Sequence, residues 1–279
     1  MDKVPLRTAL YFQIIVLAVK ALVFPAYRST DFEVHRNWLA ITHSLPLSKW
    51  YTESTSQWTL DYPPLFAWFE YALASVAGLI DPLMLNVASL QYSSYKTVLF
   101  QRTSVIVTEM LLFYGAFCLV NTMSLSLQRK WTVLALICCS PGIFIVDNIH
   151  FQYNGLMYGI QLLSIAALAR GKLVYGAVCF AVVLNFKHIY LYQALPYFVY
   201  LVSSCFKNGN FMVSKFLCLG SAVAVVFAIS FGPFITQLPQ ILVRLFPFKR
   251  GICHSYWAPN LWAVYSFCDR VLLKCRPFN

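Results

Sequence analysis

Of the 279 residues, 59% are hydrophobic, 17% aromatic and only 11% charged, where a soluble domain carries about 25% charged residues; a water-soluble fold cannot hide this much apolar surface, and hydrocarbon is its natural solvent. The formal charge of +11 does not indicate a nucleic-acid partner, because Lys and Arg stand in ones and twos at the ends of apolar runs, as topology signals do, and not clustered on one helix or tail.

The first apolar run, Thr8 to Phe24, is not a cleaved leader: Lys20 interrupts it, and Phe24-Pro25 stands where a small-residue cleavage site belongs. A helix is expected at about 6–26, with others at 103–127, 131–147, 154–169, 173–186, 189–206 and 213–231. The stretch 65–100 is broken at Asp81-Pro82, and either crosses twice or stays on one face as an interfacial segment. Lys3 and Arg7, Arg129-Lys130, Arg170 and Lys172, and Lys207 and Lys215 mark four short loops that share one side if 65–100 crosses an even number of times, which obeys the positive-inside rule. The opposite face then receives 27–64, 147–153, 186–189 and everything after about 232. It collects Asp31, Glu33, His35, Asp61, Asp147, His150, Lys187, His188, Arg244, Lys249, Arg250 and His254. The fold class is all-α, a polytopic membrane protein with a single membrane domain over 1–279. Six of the nine cysteines read as small buried hydrophobes, and the spacing of Cys253, Cys268 and Cys275 shows no pairing.

Several motifs on the polar face admit a functional and a structural reading. In Thr30-Asp31-Phe32-Glu33-Val34-His35, Val34, Trp38, Ile41 and Leu45 form the apolar stripe of an interfacial helix. Its acids are either site carboxylates or, with Thr30 and Glu33 at capping-box spacing, part of a helix start. Asp61 before Pro63-Pro64 reads as a cap unless it shares a site with Asp31. The cluster Asp147-Asn148-Ile149-His150-Phe151-Gln152-Tyr153-Asn154 is either an interfacial belt or a substrate-facing loop, and its density of hydrogen-bonding side chains favours the loop. Lys187-His188 and Arg244 with Lys249-Arg250 lie where positive-inside disfavours cations; they are snorkelling or membrane-surface groups, or contacts for an anion such as phosphate. Glu109, inside an apolar helix, is expected to pair with Arg102 one face-repeat earlier. No Walker loop, dinucleotide fingerprint, HExxH, GxSxG or paired CxxC occurs.

Taken in order, Thr30 to Trp38, His43 to Tyr51, Leu60-Asp61-Tyr62-Pro63-Pro64-Leu65, His150-Phe151-Gln152-Tyr153-Asn154 and Arg244-Leu245-Phe246-Pro247-Phe248 resemble the endoplasmic-reticulum α-1,3-glucosyltransferases that use dolichyl-phosphate glucose. Phe248-Lys249-Arg250-Gly251 and His254 to Asn260 are similar to members that add the second glucose to the monoglucosylated lipid-linked oligosaccharide. The resemblance implies a GT-C membrane fold in the endoplasmic reticulum, with 27–64 a first luminal loop bearing the active-site motif and 232–279 a luminal segment and C-terminal tail. It implies transfer with inversion to an α-1,3 bond, with Asp31 as the catalytic base. Glu33, His35, Asp61, His150, Gln152, Tyr153, Lys187, His188, Arg244, Lys249 and Arg250 are then substrate-binding candidates, with Glu33 the poorer base because it points about 200° from Asp31 on a helix. Neither cofactor nor metal is expected. The partners are dolichyl-phosphate glucose, dolichyl-diphosphate oligosaccharide and membrane lipid. Family members are considerably longer, so the chain is expected to lack several helices. A transporter of an anionic lipid and a non-catalytic truncated form are the competing readings; no internal repeat supports the transporter.

Overall fold

The computed structural model describes residues 2–247 and 261–275. Its helices are α1 (Leu6–Ala21), α2 (Thr30–Ser44), α3 (Pro64–Ile80), α4 (Tyr95–Thr108), α5 (Met110–Val120), α6 (Leu127–Cys138), the single turn α7 (Pro141–Ile143), α8 (Asn154–Ala169), α9 (Leu173–Phe186), α10 (Ala194–Ser203), α11 (Val213–Phe231), α12 (Leu238–Leu245) and α13 (Leu261–Cys275). A π-helical stretch, Phe144–Phe151, continues α7 towards α8. A two-strand hairpin, β1 (Phe206–Lys207) and β2 (Asn210–Phe211), follows α10.

Three continuous stretches are long and apolar enough to cross a membrane: Tyr95–Val120, Leu127–Phe151 and Val213–Leu245. The first, of 26 residues, is about 39 Å long at 1.5 Å per residue, more than the roughly 30 Å hydrocarbon layer. The expected bounds at 154–169, 173–186 and 213–231 coincide with α8, α9 and α11. The helix expected from 103 begins earlier, at Tyr95, because Ser94 accepts a hydrogen bond from Thr97 N at 3.1 Å and caps a polar first turn. The run 189–206 is not one helix. A 3-10 turn over His188–Gln193 precedes α10, and Asn208 and Gly209, at φ 50° and 80°, then turn the hairpin. Of the cysteines expected to be buried, Cys138, Cys179 and Cys205 are so, whereas Cys139 and Cys218 are exposed.

Two ends of the molecule are distinct. At one, Val4 N donates to Asn121 Oδ1 (2.9 Å), Lys130 Nζ to Asp2 O (2.9 Å), Arg170 Nη2 to Cys118 O (3.1 Å) and Lys215 Nζ to Ser204 O (2.6 Å). The basic loops thus gather together, and their cations occupy free carbonyls, those of Cys118 and Ser204 at helix ends and that of Asp2 before α1. At the other end, Arg102 Nη2 donates to Tyr27 O (2.9 Å), and Arg244 Nη2 to Glu53 O (2.7 Å). The stretch 65–100 stays at this second end. α3 lies beside α2, and the turn after it bonds back: Arg36 Nη1 donates to Met84 O (2.8 Å) and Ser44 Oγ to Leu85 O (2.6 Å).

In the interior, α5 and α8 meet backbone to backbone. A Cβ on Gly115 would sit 2.4 Å from Gly159 O, and one on Gly159 would sit 2.4 Å from Leu111 C. Where lipid is as apolar as leucine, such close contact supplies the packing attraction that holds two helices together. Glu109, between α4 and α5, does not pair with Arg102. It bonds Lys20 Nζ of α1 at 2.8 Å and accepts from Asn148 Nδ2 at 3.2 Å, both ionic partners being buried. Arg102 instead holds the carbonyls of Tyr27, Asn148 and Ile149. Separation along the helix hid this, since α1 runs antiparallel to α4 and supplies a nearer cation.

Two outcomes follow. Single cysteines at Thr55 and Gln128, in sealed membrane vesicles, are expected to react with an impermeant maleimide from opposite sides; reaction of both from one side contradicts the two-ended arrangement. Glu109→Gln leaves the buried Lys20 without its anion, a loss of about 3–5 kcal/mol. Its thermal midpoint in detergent is expected to fall well below that of the double variant Lys20→Met, Glu109→Leu. Equal midpoints would show that the charge of Lys20 is compensated elsewhere.

Candidate active site

The site is built where α2 starts against the end of the π-helical stretch. Ser29 is the N-cap of α2, its Oγ accepting from Phe32 N at 3.3 Å and also donating to the His150 carbonyl. Ser29 thus takes the place that the capping-box reading gave to Thr30 and Glu33. Glu33 turns the other way and clamps Arg36 through two 2.7 Å bonds, one to Nε and one to Nη2. Freed from capping, Asp31 faces the 147–154 segment.

That segment is shaped by its π-helical geometry, in which Gln152 N reaches Asp147 O at 3.4 Å, and by Phe151 at φ 85°. π-Helical turns are rare and concentrate at functional sites. Here the turn presents Asp147, His150, Gln152 and Asn154 towards α2. Gln152 Nε2 donates to Asp31 Oδ2 at 2.5 Å, and His150 Nε2 lies 3.3 Å from the same oxygen. The other ring nitrogen of His150 meets Tyr27 OH at 3.0 Å. Asp31 and His150 keep 28% and 39% of their side-chain surface exposed, so a substrate can reach them. Among the described residues, Asp31 Oδ1 accepts no hydrogen bond and is the oxygen available to a proton.

Behind them lies Asp147, buried, accepting from Gly155 N at 2.5 Å and Asn154 Nδ2 at 2.9 Å. Asn154 Nδ2 also donates to Gln152 Oε1 at 2.8 Å. Lys187, just past α9, donates to Asn154 Oδ1 (3.2 Å) and Gln152 Oε1 (3.4 Å), and its ammonium lies 5.1 Å from the Tyr62 ring centroid. Burial pulls the Lys187 ammonium below the usual lysine value, while the fields of Asp147, Asp31 and Asp61 oppose that shift. Beside it, burial and then the Lys187 charge lower His188, whose ring packs on Phe246 at 5.3 Å. Arg244 ties α12 to the Glu53 carbonyl and feels the charge of Asp61.

The structure therefore brings Asp31, Asp61, His150, Gln152 and Lys187 together, with His188 and Arg244 at the margin. It does not bring Glu33, His35 or Tyr153 to the exposed cluster. His35 is buried with Nδ1 2.6 Å from Glu70 Oε1, in a cage of aromatic rings. Burial first, then Lys187, pulls its imidazole down to about 3. Tyr153 is buried with its hydroxyl 2.7 Å from Ser104 Oγ. His35 is turned inward on the buried face of α2, and Tyr153 is turned inward as the N-cap of α8. Lys249 and Arg250 lie outside the described residues. Tyr27 and Glu70 belong to the assembly without having been singled out in the sequence. Glu70 had a signal, as the one acid inside the apolar run 65–80.

A carboxylate pinned at one oxygen and open at the other, in reach of a lysine, is suited to removing a proton from a hydroxyl while an anion leaves nearby. Residues 16–277 match the model of the ALG6, ALG8 glycosyltransferase family. A protein of Gibberella zeae named dolichyl pyrophosphate Glc1Man9GlcNAc2 alpha-1,3-glucosyltransferase is 54% identical over 95% of this chain and 54% of its own length. Proteins of the same name from Bos taurus and Arabidopsis thaliana are 52% and 48% identical, over 92% and 97% of this chain and 52% and 54% of theirs. The chain thus spans about half the length of the curated relatives it matches. With its helical membrane architecture and this match along nearly all of its length, the chain belongs to the ALG6, ALG8 glycosyltransferase family, whose members are membrane glycosyltransferases of the GT-C type.

Proposed function

We propose that this chain carries the base of a glucosyltransferase that moves glucose from dolichyl-phosphate glucose to a monoglucosylated dolichyl-diphosphate oligosaccharide, at the luminal side of the endoplasmic-reticulum membrane. The observation that carries the reading is Asp31, half-exposed at the start of α2 and bonded at Oδ2 by Gln152 at 2.5 Å. The names of the relatives support the acceptor, since each is called an alpha-1,3-glucosyltransferase of dolichyl pyrophosphate Glc1Man9GlcNAc2.

A β-linked donor that yields an α-linked product needs a single in-line displacement with inversion. As in inverting glycosidases, one carboxylate activates the nucleophile on the face opposite the leaving group. Asp31 Oδ1 takes the proton of the acceptor 3-hydroxyl, that oxygen bonds to glucose C1, and the bond from C1 to the phosphate oxygen breaks. Dolichyl phosphate leaves as an anion that needs no proton, so cations suffice to stabilise it. Lys187 and Arg244 are the described candidates for the donor or acceptor phosphates, with Lys249 and Arg250 beyond the described residues. Asp61 and His188 line the same mouth. The 27–64 loop and residues 232–247 form the two walls in this reading.

In a form as long as the curated relatives, Asp31→Asn is expected to reduce turnover about 10²–10⁴-fold, with membrane levels and donor binding retained. Because Ser29 is the cap of α2, the change leaves the helix start in place. Normal turnover would remove Asp31 from the mechanism. Lys187→Ala and Arg244→Ala are each expected to lower the rate per folded protein at limiting lipid substrate by about 10–100-fold, the range of a lost charge-assisted hydrogen bond; folded protein is measured beside the rate because both cations also make internal hydrogen bonds. Unchanged rates at limiting lipid substrate would exclude the phosphate role.

A further inference from the structure

Resting on the reading of Asp31 as the base, we infer that Asn154, seated by Asp147, is a positioning residue that holds Asp31 in its reactive orientation through Gln152. The terminal torsions of Asp, Asn and Gln are soft, so a carboxylate at a helix start is aimed only if something fixes it. Gln152 does this solely if its amide nitrogen, not its oxygen, faces Asp31. That orientation is set from behind. Gln152 Oε1 is occupied by two donors, Asn154 Nδ2 at 2.8 Å and Lys187 Nζ at 3.4 Å, which leaves Nε2 for Asp31 Oδ2 at 2.5 Å.

The orientation of Asn154 is in turn over-determined. Its Nδ2 faces Asp147 Oδ1 at 2.9 Å, and its Oδ1 accepts from Lys187 at 3.2 Å. Reversing it would place an amide oxygen against a carboxylate and an amide nitrogen against an ammonium. Asp147 is buried and fixed by Gly155 N at 2.5 Å. That seat exists because residue 155 has no side chain: a Cβ there would lie 2.7 Å from Glu109 Cγ and 3.3 Å from Asp147 Oδ2. The direction of every hydrogen bond therefore propagates from Asp147 through Asn154 and Gln152 to Asp31, and leaves Oδ1 open to the acceptor hydroxyl. Neither Asp147 nor Asn154 touches substrate in this scheme.

The test uses Asn154→Ala and Asn154→Ser in a form as long as the curated relatives, each also placed in the Asp31→Asn background. A misplaced base costs roughly 10–100-fold in rate. For Asn154→Ala, kcat is expected to fall by about that factor, with KM for dolichyl-phosphate glucose and for the acceptor within about twofold and the thermal midpoint unchanged. Asn154→Ser keeps one donor and is expected to recover part of the rate. In Asp31→Asn, where no base remains to be aimed, the same change is expected to cost less than about threefold, the non-additivity of residues acting as a unit. Full turnover by Asn154→Ala beside an impaired Asp31→Asn overturns the positioning role alone. So does a KM effect with kcat kept, an equal loss in both backgrounds, or a rate loss that tracks a loss of folded protein. Normal turnover by Asp31→Asn itself overturns the base reading instead.

Discussion

A polar group shut away from water must find its partner inside the protein, and four buried side chains meet that constraint just below the polar end of this molecule. Lys20 of α1 bonds Glu109 between α4 and α5, Asn148 of the π-helical stretch bonds the same carboxylate, and Arg102 gathers the carbonyls of Tyr27, Asn148 and Ile149. Three segments distant in sequence are thereby locked in one register. Tyr27 and Ile149 are close in sequence to Asp31 and Gln152, so the register of this buried knot also sets the meeting of α2 with the 147–154 segment.

The polar cluster above the knot, part exposed and part buried, has an unusual charge order. Three carboxylates, Asp31, Asp61 and Asp147, surround a single lysine at the described mouth, and the lysine is spent partly on amide oxygens. Lys187 is therefore more than a cation waiting for an anion. It orders the neutral amides that connect the acids and lowers the mutual repulsion of those acids.

Much of this was legible in the sequence, for reasons that can be named. Apolar runs bounded by Arg170-Gly171-Lys172 or by Asn154 gave helices at their true limits because the physics of hydrocarbon burial is local. The division of polar motifs from basic loops was legible because topology is written in lysines and arginines at run ends. Pairings across helices were not. Glu109 found Lys20, 89 residues away, and no periodicity within its own helix points there. Glu33 and His35 carry the chemistry of a site, yet Arg36 and Glu70 absorb them, because a residue type does not reveal which way its helix is rolled. The link from Gln152 to Asp31 spans 121 residues and depends on a π-helical turn whose rotation has no compositional mark.

The glycine contact between α5 and α8 has a bearing on how firmly the candidate site is held. At Gly115 and Gly159 the backbone of each helix lies where a side chain on the other would have to go, so the two helices are locked closely together at that crossing. They form a stiff post. The 45–63 loop is held firmly as well: its Trp50, Tyr51 and Leu60 share one buried core with Ile241 and Leu245 of α12, and Arg244 bonds the Glu53 carbonyl. Asp31 stands on α2 and meets this post through Gln152, two residues before α8, so the seating of that carboxylate depends on the stiffness of a helix pair to which it does not belong.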